Sequence, residues 1–291
     1  MKYHVLAIDM DGTLLDESRE ISRKNVEAIQ EYRNKGGHVI VCSGRSPLST
    51  RWLAEYIGLA EPIIAYNGAV IQNYDGEIRS TLHFKQNDLM RIASYCEENG
   101  LYLQLYEGDQ LIVSEKNNRN EHWVEHNILA LEQSGASKER CDYYRSQCSV
   151  QHTENLRTYL EKNTPNISKA AIIAEREKTM KCAGDLHEER LNIHISSSLN
   201  YANLEISPLN GTKEYALQTV VEELGFTLNE ASAIGDNYND LGMLKAAGLG
   251  IAMGNAPEEV KEAANFTTVT NEEAGVAYAI QNYILKQNFK I

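Results

Sequence analysis

Residues 5–8 of this chain, Val5-Leu6-Ala7-Ile8, form an apolar run that ends on Asp9 and Asp11, with only Met10 between the two acids. A short strand that is apolar throughout must be covered on both faces, as strands are inside a parallel sheet layered with helices. Carboxylates are among the side chains least often buried, and two within a few ångströms repel unless a cation or a proton intervenes. A buried strand with two acids at its end therefore needs something between them.

The same pattern continues. Ser22 can cap a helix carrying Val26, Ala28, Ile29 and Tyr32 that stops at Gly36-Gly37. A strand over 38–42 leads into Ser43-Gly44-Arg45, and Pro47 opens a helix that ends near Gly58. A strand over 63–66 breaks at Asn67-Gly68, and Tyr74-Asp75-Gly76 reads as a hairpin turn. After about Phe84 the pattern changes. Helix 87–99, strands 101–106 and 110–113, helix 154–163, strand 168–174, a helical stretch over 179–187 and strand 191–196 suggest a second α+β unit, with 114–150 polar and unassigned. From Asn203 strands and helices alternate again: strand 204–206, helix 213–224, strand 231–234, helix 239–247, strand 248–252, helix 257–264 and a capping box of Thr270 with Glu273 before a last helix reaching Gln287. The expected architecture is α/β, a Rossmann-like parallel-sheet core with helices on both faces, formed by residues 1–83 and 199–291. An inserted α+β cap occupies 84–198.

With 291 residues the chain exceeds the usual single-domain size. Its net charge of −13, from 41 acidic against 28 basic residues, disfavours nucleic acid and anionic membranes as partners. No apolar run approaches the ~18 residues of a membrane span, and the first residues lack the charged-then-apolar pattern of a signal peptide. The five cysteines are scattered without a CxxC pair, which argues against a disulfide framework or a thiolate zinc site. A cytoplasmic location is expected; oligomeric state is open.

In a parallel sheet, residues just past the carboxyl ends of the strands converge. Here these are Asp9 and Asp11, Ser43-Gly44-Arg45, Asn67-Gly68 and Gly235-Asp236-Asn237-Tyr238-Asn239-Asp240, with Lys213 at the start of a helix. Clustered carboxylates suit a hard dication such as Mg²⁺, which takes oxygen ligands and leaves positions for a phosphate oxygen. A hydroxyl, amides and a lysine suit a phosphoryl group. Together they describe a phosphoryl-transfer site.

"DMDGT", "SGR", Lys213 and "GDNYND" stand in the order and spacing of the four motifs of the haloacid dehalogenase superfamily, and the inserted unit with "NGA" at 67–69 resembles its Cof-type phosphatases. The resemblance implies that Asp9 is the nucleophile and Asp11 the general acid and then base. It implies Mg²⁺ held by Asp9, Asp236 and the Asp11 carbonyl, with Asp240 supporting that shell. Ser43, Gly44, Lys213 and Asn239 are the implied phosphate-binding residues. Asp11 itself favours a phosphatase or mutase, since dehalogenases lack this second acid and the ATP-driven pumps carry Thr there. The implied substrate is a small phosphorylated metabolite such as a sugar phosphate. The alternatives are a sugar phosphomutase or phosphotransferase, and a non-catalytic phosphometabolite-binding regulator. Glu214 departs from the Cof-type pattern, which has Gly after the lysine, and at about 100° per residue it should face away from Lys213.

Several residues carry two readings. Arg45 contacts substrate or pairs with a core carboxylate, and Asn67 is a turn residue tolerating positive φ or a group near the site. His122 and His126, four apart, read better as a solvated cap helix than as zinc ligands, since no third ligand is in register. Tyr102, Tyr106, Tyr143 and Tyr144 are more often packing than pocket lining.

Overall fold

The computed structural model describes residues 1–115, 120, 125, 128, 132, 137–187, 191–198 and 201–286. His122, His126 and the end of the last expected helix at Gln287 lie outside the described residues.

Strand β1 (Val5–Ile8) leads to helix α1 (Arg23–Asn34), where the Ser22 hydroxyl accepts the Asn25 amide as N-cap. Then come β2 (His38–Val41), α2 (Pro47–Tyr56), β3 (Ile63–Ala65), β4 (Val70–Gln72) and β5 (Ile78–Thr81). The inserted part holds α3 (Gln86–Asn99), β6 (Tyr102–Glu107), β7 (Gln110–Val113), α4 (Lys138–Gln147), β8 (Ser149–His152), α5 (Leu156–Lys162), β9 (Lys169–Ala174), α6 (Arg176–Leu186), β10 (Leu191–Ser198) and β11 (Tyr201–Pro208). The chain closes with α7 (Lys213–Glu223), β12 (Ala231–Gly235), α8 (Leu241–Ala246), β13 (Leu249–Ala252), α9 (Glu258–Ala263), β14 (Phe266–Thr267) and α10 (Gly275–Ala279).

The core sheet is parallel, in the order β14-β13-β12-β1-β2. Strand β1 lies inside it, between β12 and β2. Its period of two sends Leu6 and Ile8 into one apolar cluster with Ile29, Tyr32 and Ile280, and Val5 and Ala7 into another with Leu217, Val220 and Leu244. Both layers exclude water, which is why no polar residue alternates through 5–8. Val5, Leu6 and Ile8 each contribute about 1.5–3 kcal/mol on burial.

Two expectations are corrected. The strand at 63–66 was expected to extend the core sheet. Instead Ile63–Ala65 heads an antiparallel sheet β3-β4-β5 and meets β2 only through a Cys42–Ile64 bridge. The strand at 204–206, expected in the core, runs Tyr201–Pro208 and pairs antiparallel with β10 and β9 in the second sheet, β10-β11-β9-β6-β7-β8. A short apolar run states that a strand is buried, not which sheet buries it. The chain thus rejoins the core helix layer at α7. The polar stretch left unassigned holds α4 and β8, where Tyr144 and Cys141 are buried.

The second sheet packs α3, α5 and α6 around its own cluster, including Ile92, Leu105 and Ile172. Along α2 it shares the first core cluster: Leu48, Trp52 and Tyr66 pack with Tyr106, Tyr144 and Ala171. Trp52 and Tyr144 meet edge to face at 5.5 Å, and Arg140 pairs with Glu55 at 2.7 Å. All five cysteines are free and buried.

Candidate active site

The ends of β1, β2 and β12 meet at one edge of the core sheet. Ladder hydrogen bonding carries past the strands: the Asp9 amide donates to the Ile234 carbonyl at 3.0 Å, and the Met253 amide to Gly235 at 2.9 Å. Asp9 is thereby fixed at the sheet rim. Its neighbour Met10 is fully buried, and its carbonyl accepts from the amides of Thr13, Leu14 and Leu15, turning the chain away.

The carboxylate oxygens of Asp9, Asp236 and Asp240 lie within 4.8 Å of one another. The Lys213 ammonium, fully buried, bonds Asp9 and also Asp240 at 2.7 Å. Both Asp240 oxygens are committed: Oδ1 to Lys213, and Oδ2 to the amides of Asp236 at 2.9 Å and Asn237 at 3.0 Å. Asp240 therefore ties the loop after β12 to the lysine. Asp236 receives the Thr13 hydroxyl at 2.8 Å. Gly12 sits at φ +84° with its Cα against the Asp236 carboxylate, so a Cβ there would collide with it. A Cβ at Gly235 would come within 2.6 Å of Asp240.

Burial, reinforced by the charge of Asp240, holds the Asp9 carboxyl well above the usual carboxylate range despite the opposing pull of Lys213. Burial and Asp240 likewise push Asp236 up to about 7. Two acids that resist ionisation beside one ammonium mark a site short of positive charge. Burial would lower Lys213, but Asp240 and Asp9 outweigh it and keep the ammonium charged. The buried Cys42 thiol next to the cluster is pushed up to about 12 by burial.

Asp11 faces the other way. Its carboxylate takes the Arg45 guanidinium in a two-point pair at 2.7 and 2.5 Å, with the Asp11 side chain 56% exposed. Desolvation would raise its pKa, yet the Arg45 charge and hydrogen bonds outweigh that and lower it, so in this state Asp11 is held ionised. Of the two readings of Arg45, the structure shows the carboxylate pairing. Ser43 is buried, and its hydroxyl accepts the Arg45 amide at 3.1 Å.

Asn67 has φ +56°, as a turn residue would, and also bridges elements: its Nδ2 donates to Glu205 at 2.7 Å and its Oδ1 accepts Asn239 at 2.9 Å. The Gly44 carbonyl accepts from Lys169 at 2.9 Å. Lys169 and Glu205, on β9 and β11, pair at 2.7 Å with side chains 9% and 18% exposed. These two were not singled out from the sequence, although a charge amid otherwise apolar strand residues was a visible signal. His194 was missed as well. His194 on β10 stands opposite Glu205, and burial lowers its pKa.

A cleft of about 1110 Å³ opens beside Asp236 and Asn239, with Arg176, Met180 and His194 on its other wall. Glu214, expected to face away from Lys213, is exposed and reaches over Gly242 at the cleft rim. Tyr106 and Tyr144 are buried packing residues.

Over residues 6–280 the chain matches the haloacid dehalogenase-like hydrolase family. It is 28% identical over 288 residues to the phosphatase YwpJ of Bacillus subtilis, covering 96% of this chain and 99% of that protein. It is 30% identical over 283 residues to the 5-amino-6-(5-phospho-D-ribitylamino)uracil phosphatase YcsE of Bacillus subtilis, covering 97% and 96%. The solved structure of a haloacid dehalogenase-like hydrolase from Bacillus subtilis superposes with a TM-score of 0.80 at 27% identity, covering 96% of this chain and 99% of that one.

Proposed function

The chain belongs to the haloacid dehalogenase-like hydrolases, and from that premise we propose that it is a phosphatase that hydrolyses a small phosphomonoester through an aspartyl-phosphate on Asp9. The observation that carries the reading is the cluster of Asp9, Asp236 and Asp240 at the carboxyl edge of the parallel sheet, in which Asp9 and Asp240 are buried and bonded to the Lys213 ammonium. YcsE, by its name, acts on a phosphorylated ribityl compound, and a sugar or sugar-alcohol phosphate is the substrate class we infer here.

The donor set fits magnesium. It is all oxygen, two of its acids resist ionisation without added positive charge, and Asp240 has no oxygen left over. Asp9, Asp236 and the Asp11 carbonyl would hold the ion, which supplies charge that neutralises a phosphoryl oxygen. In the first step an Asp9 oxygen bonds to phosphorus as the bond to the leaving oxygen breaks, and Asp11 gives that oxygen its proton. In the second, water attacks the same phosphorus, Asp11 takes the water proton, and Asp9 is released with phosphate. Lys213 and the Ser43 hydroxyl steady the phosphoryl oxygens, and Asn239 completes that side. Asp11 can hold a proton only when Arg45 lets go, so we assign Arg45 a second partner in the substrate. The inserted unit acts as the cap that excludes water and selects the leaving group across the cleft, with Arg176, Met180 and His194 facing it. None of the helices among the described residues is long and apolar enough to cross a membrane. A reducing, cytoplasmic setting agrees with the free cysteines.

The test is phosphate release by purified protein with Mg²⁺ from p-nitrophenyl phosphate and a panel of sugar, sugar-alcohol and nucleotide phosphates. Release from several is expected. Silence on the whole panel refutes the hydrolase, and isomeric transfer without release makes it a mutase.

A further inference from the structure

The cap and the core touch through two different chemistries. Along α2 the contact is apolar and aromatic, with Leu48, Trp52 and Tyr144 buried together. Above the phosphate loops it is ionic: Lys169 reaches the Gly44 carbonyl and Glu205 reaches Asn67, while the two bind each other. A buried ion pair gives little net adhesion once its desolvation is counted. The apolar contact along α2 already supplies adhesion.

What the pair touches is specific. Asn67 donates from its amide nitrogen to Glu205 and accepts Asn239 on its amide oxygen, while its backbone amide donates to the Ser43 carbonyl at 2.9 Å. The Tyr66 amide donates to the Arg45 carbonyl at 3.0 Å. Tyr66 and Asn67 both have positive φ, +48° and +56°, an uncommon geometry for a bulky residue that survives only where surrounding bonds over-determine it. One residue thus links the loop after β2, through its backbone amide, to the loop after β12, through its side chain, and cap charges grip that link from above.

We propose that Lys169 and Glu205 are positioning residues, a cap-borne ion pair seated on Gly44 and Asn67 that sets the loops presenting Ser43 and Asn239. The proposal rests on the phosphatase reading for its catalytic consequence and on the geometry alone for its effect on the loops. When the cap lifts, the Gly44 carbonyl and the Asn67 amide lose their charged partners together, and the two loops relax. When it closes, both are drawn into register at once, so the site is complete only under the cap.

The test is the double variant Lys169→Met/Glu205→Gln, which removes both charges, keeps volume and leaves no buried charge unpaired. With p-nitrophenyl phosphate, kcat should fall about 10-fold to 100-fold, as for other residues that act through a ligating neighbour. KM should stay within about threefold, since little ground-state contact is lost. Melting should stay within about 4 °C of wild type. Lys169→Arg, which preserves the charge and the donors, should restore most of kcat. Hydrogen exchange needs no substrate: the amides of Arg45, Tyr66 and Asn67 should exchange faster in the double variant, while those of β1 keep their rates. Wild-type kcat in the double variant, or unaltered exchange at these amides, overturns the proposal. So does a loss confined to larger metabolites with p-nitrophenyl phosphate untouched, which would make the pair a leaving-group contact. Should wild type itself hydrolyse nothing, the phosphatase reading fails while exchange still decides the positioning claim.

Discussion

Replacing Lys213 by Met keeps the length of the side chain and deletes its charge. In the native protein that ammonium is wholly buried, bonded to Asp9 and, at 2.7 Å, to an equally buried Asp240. Its removal leaves two carboxylates facing each other, with Asp236 as a third within 4.8 Å. Breaking a buried pair by removing one partner costs about 3–5 kcal/mol, and at pH 8 without metal we expect a deficit in that range. The deficit should depend on pH in a set direction. Burial and Asp240 already raise Asp9 above its unfolded value, and Lys213 is the largest opposing charge, so its loss raises Asp9 further. A carboxyl raised in the folded state binds its proton more tightly there than in the unfolded chain. Its contribution to stability is present below the unfolded value near 3.8 and fades as pH climbs through the folded one. The variant should therefore approach wild type near pH 5 and fall furthest behind at pH 8. Urea unfolding followed by circular dichroism at both pH values measures this. A deficit equal at the two, or below about 1 kcal/mol at pH 8, refutes the view of Lys213 as counter-charge to the cluster. Turnover of p-nitrophenyl phosphate should drop about 100-fold to 1000-fold, the usual loss when an electrostatic donor at the reacting centre is removed.

Asp9→Asn should abolish phosphate release yet leave metal-free stability at pH 8 equal to or above wild type, because it removes a repelled buried charge. Metal-free wild type should itself lose stability between pH 4 and 7 as Asp236, held up to about 7 by burial and Asp240, is forced to ionise, at no more than about 1.4 kcal/mol per pH unit for each proton. Millimolar Mg²⁺ should flatten that slope, and chelation should stop turnover; a slope indifferent to Mg²⁺ counts against the ion. Arg45→Ala frees Asp11 from the cation that lowers its pKa, so the basic limb of the kcat/KM profile, where the general acid loses its proton, should move to higher pH.

Residues 5–13 could be read from sequence because local chemistry and global fold agree there: an apolar strand, two acids, a glycine and a threonine have few joint explanations. Ser22 and Pro47 marked helix starts for similar reasons, each fitting the first turn of a helix by itself. The misplacement of Leu204-Glu205-Ile206 has a different origin. A three-residue signal carries burial and no pairing partner, and the pairing with β9 and β10 is decided by distant chain. Lys169 and Glu205 escaped notice for the same reason, since a charged residue in a strand becomes meaningful only once the register puts its face over Gly44 and Asn67. Asp11 was legible as a functional acid, but its pairing with Arg45, across a gap of 34 residues, is tertiary.

Strand β1 is hydrogen-bonded on one side to β12, with Val5 opposite Ala231. More than two hundred residues must leave the ribosome before that partner exists, which at 5–20 residues per second takes roughly 10–45 s. The second sheet, by contrast, is built from one continuous stretch between β6 and β11. We expect the newborn chain to complete that sheet first and to keep Val5–Ile8, apolar on both sides, waiting as its most aggregation-prone segment. In refolding followed by pulsed hydrogen exchange, the amides of β9 and β11 should gain protection before those of β1. The strand that carries Asp9 would then be first in the sequence and among the last to be buried.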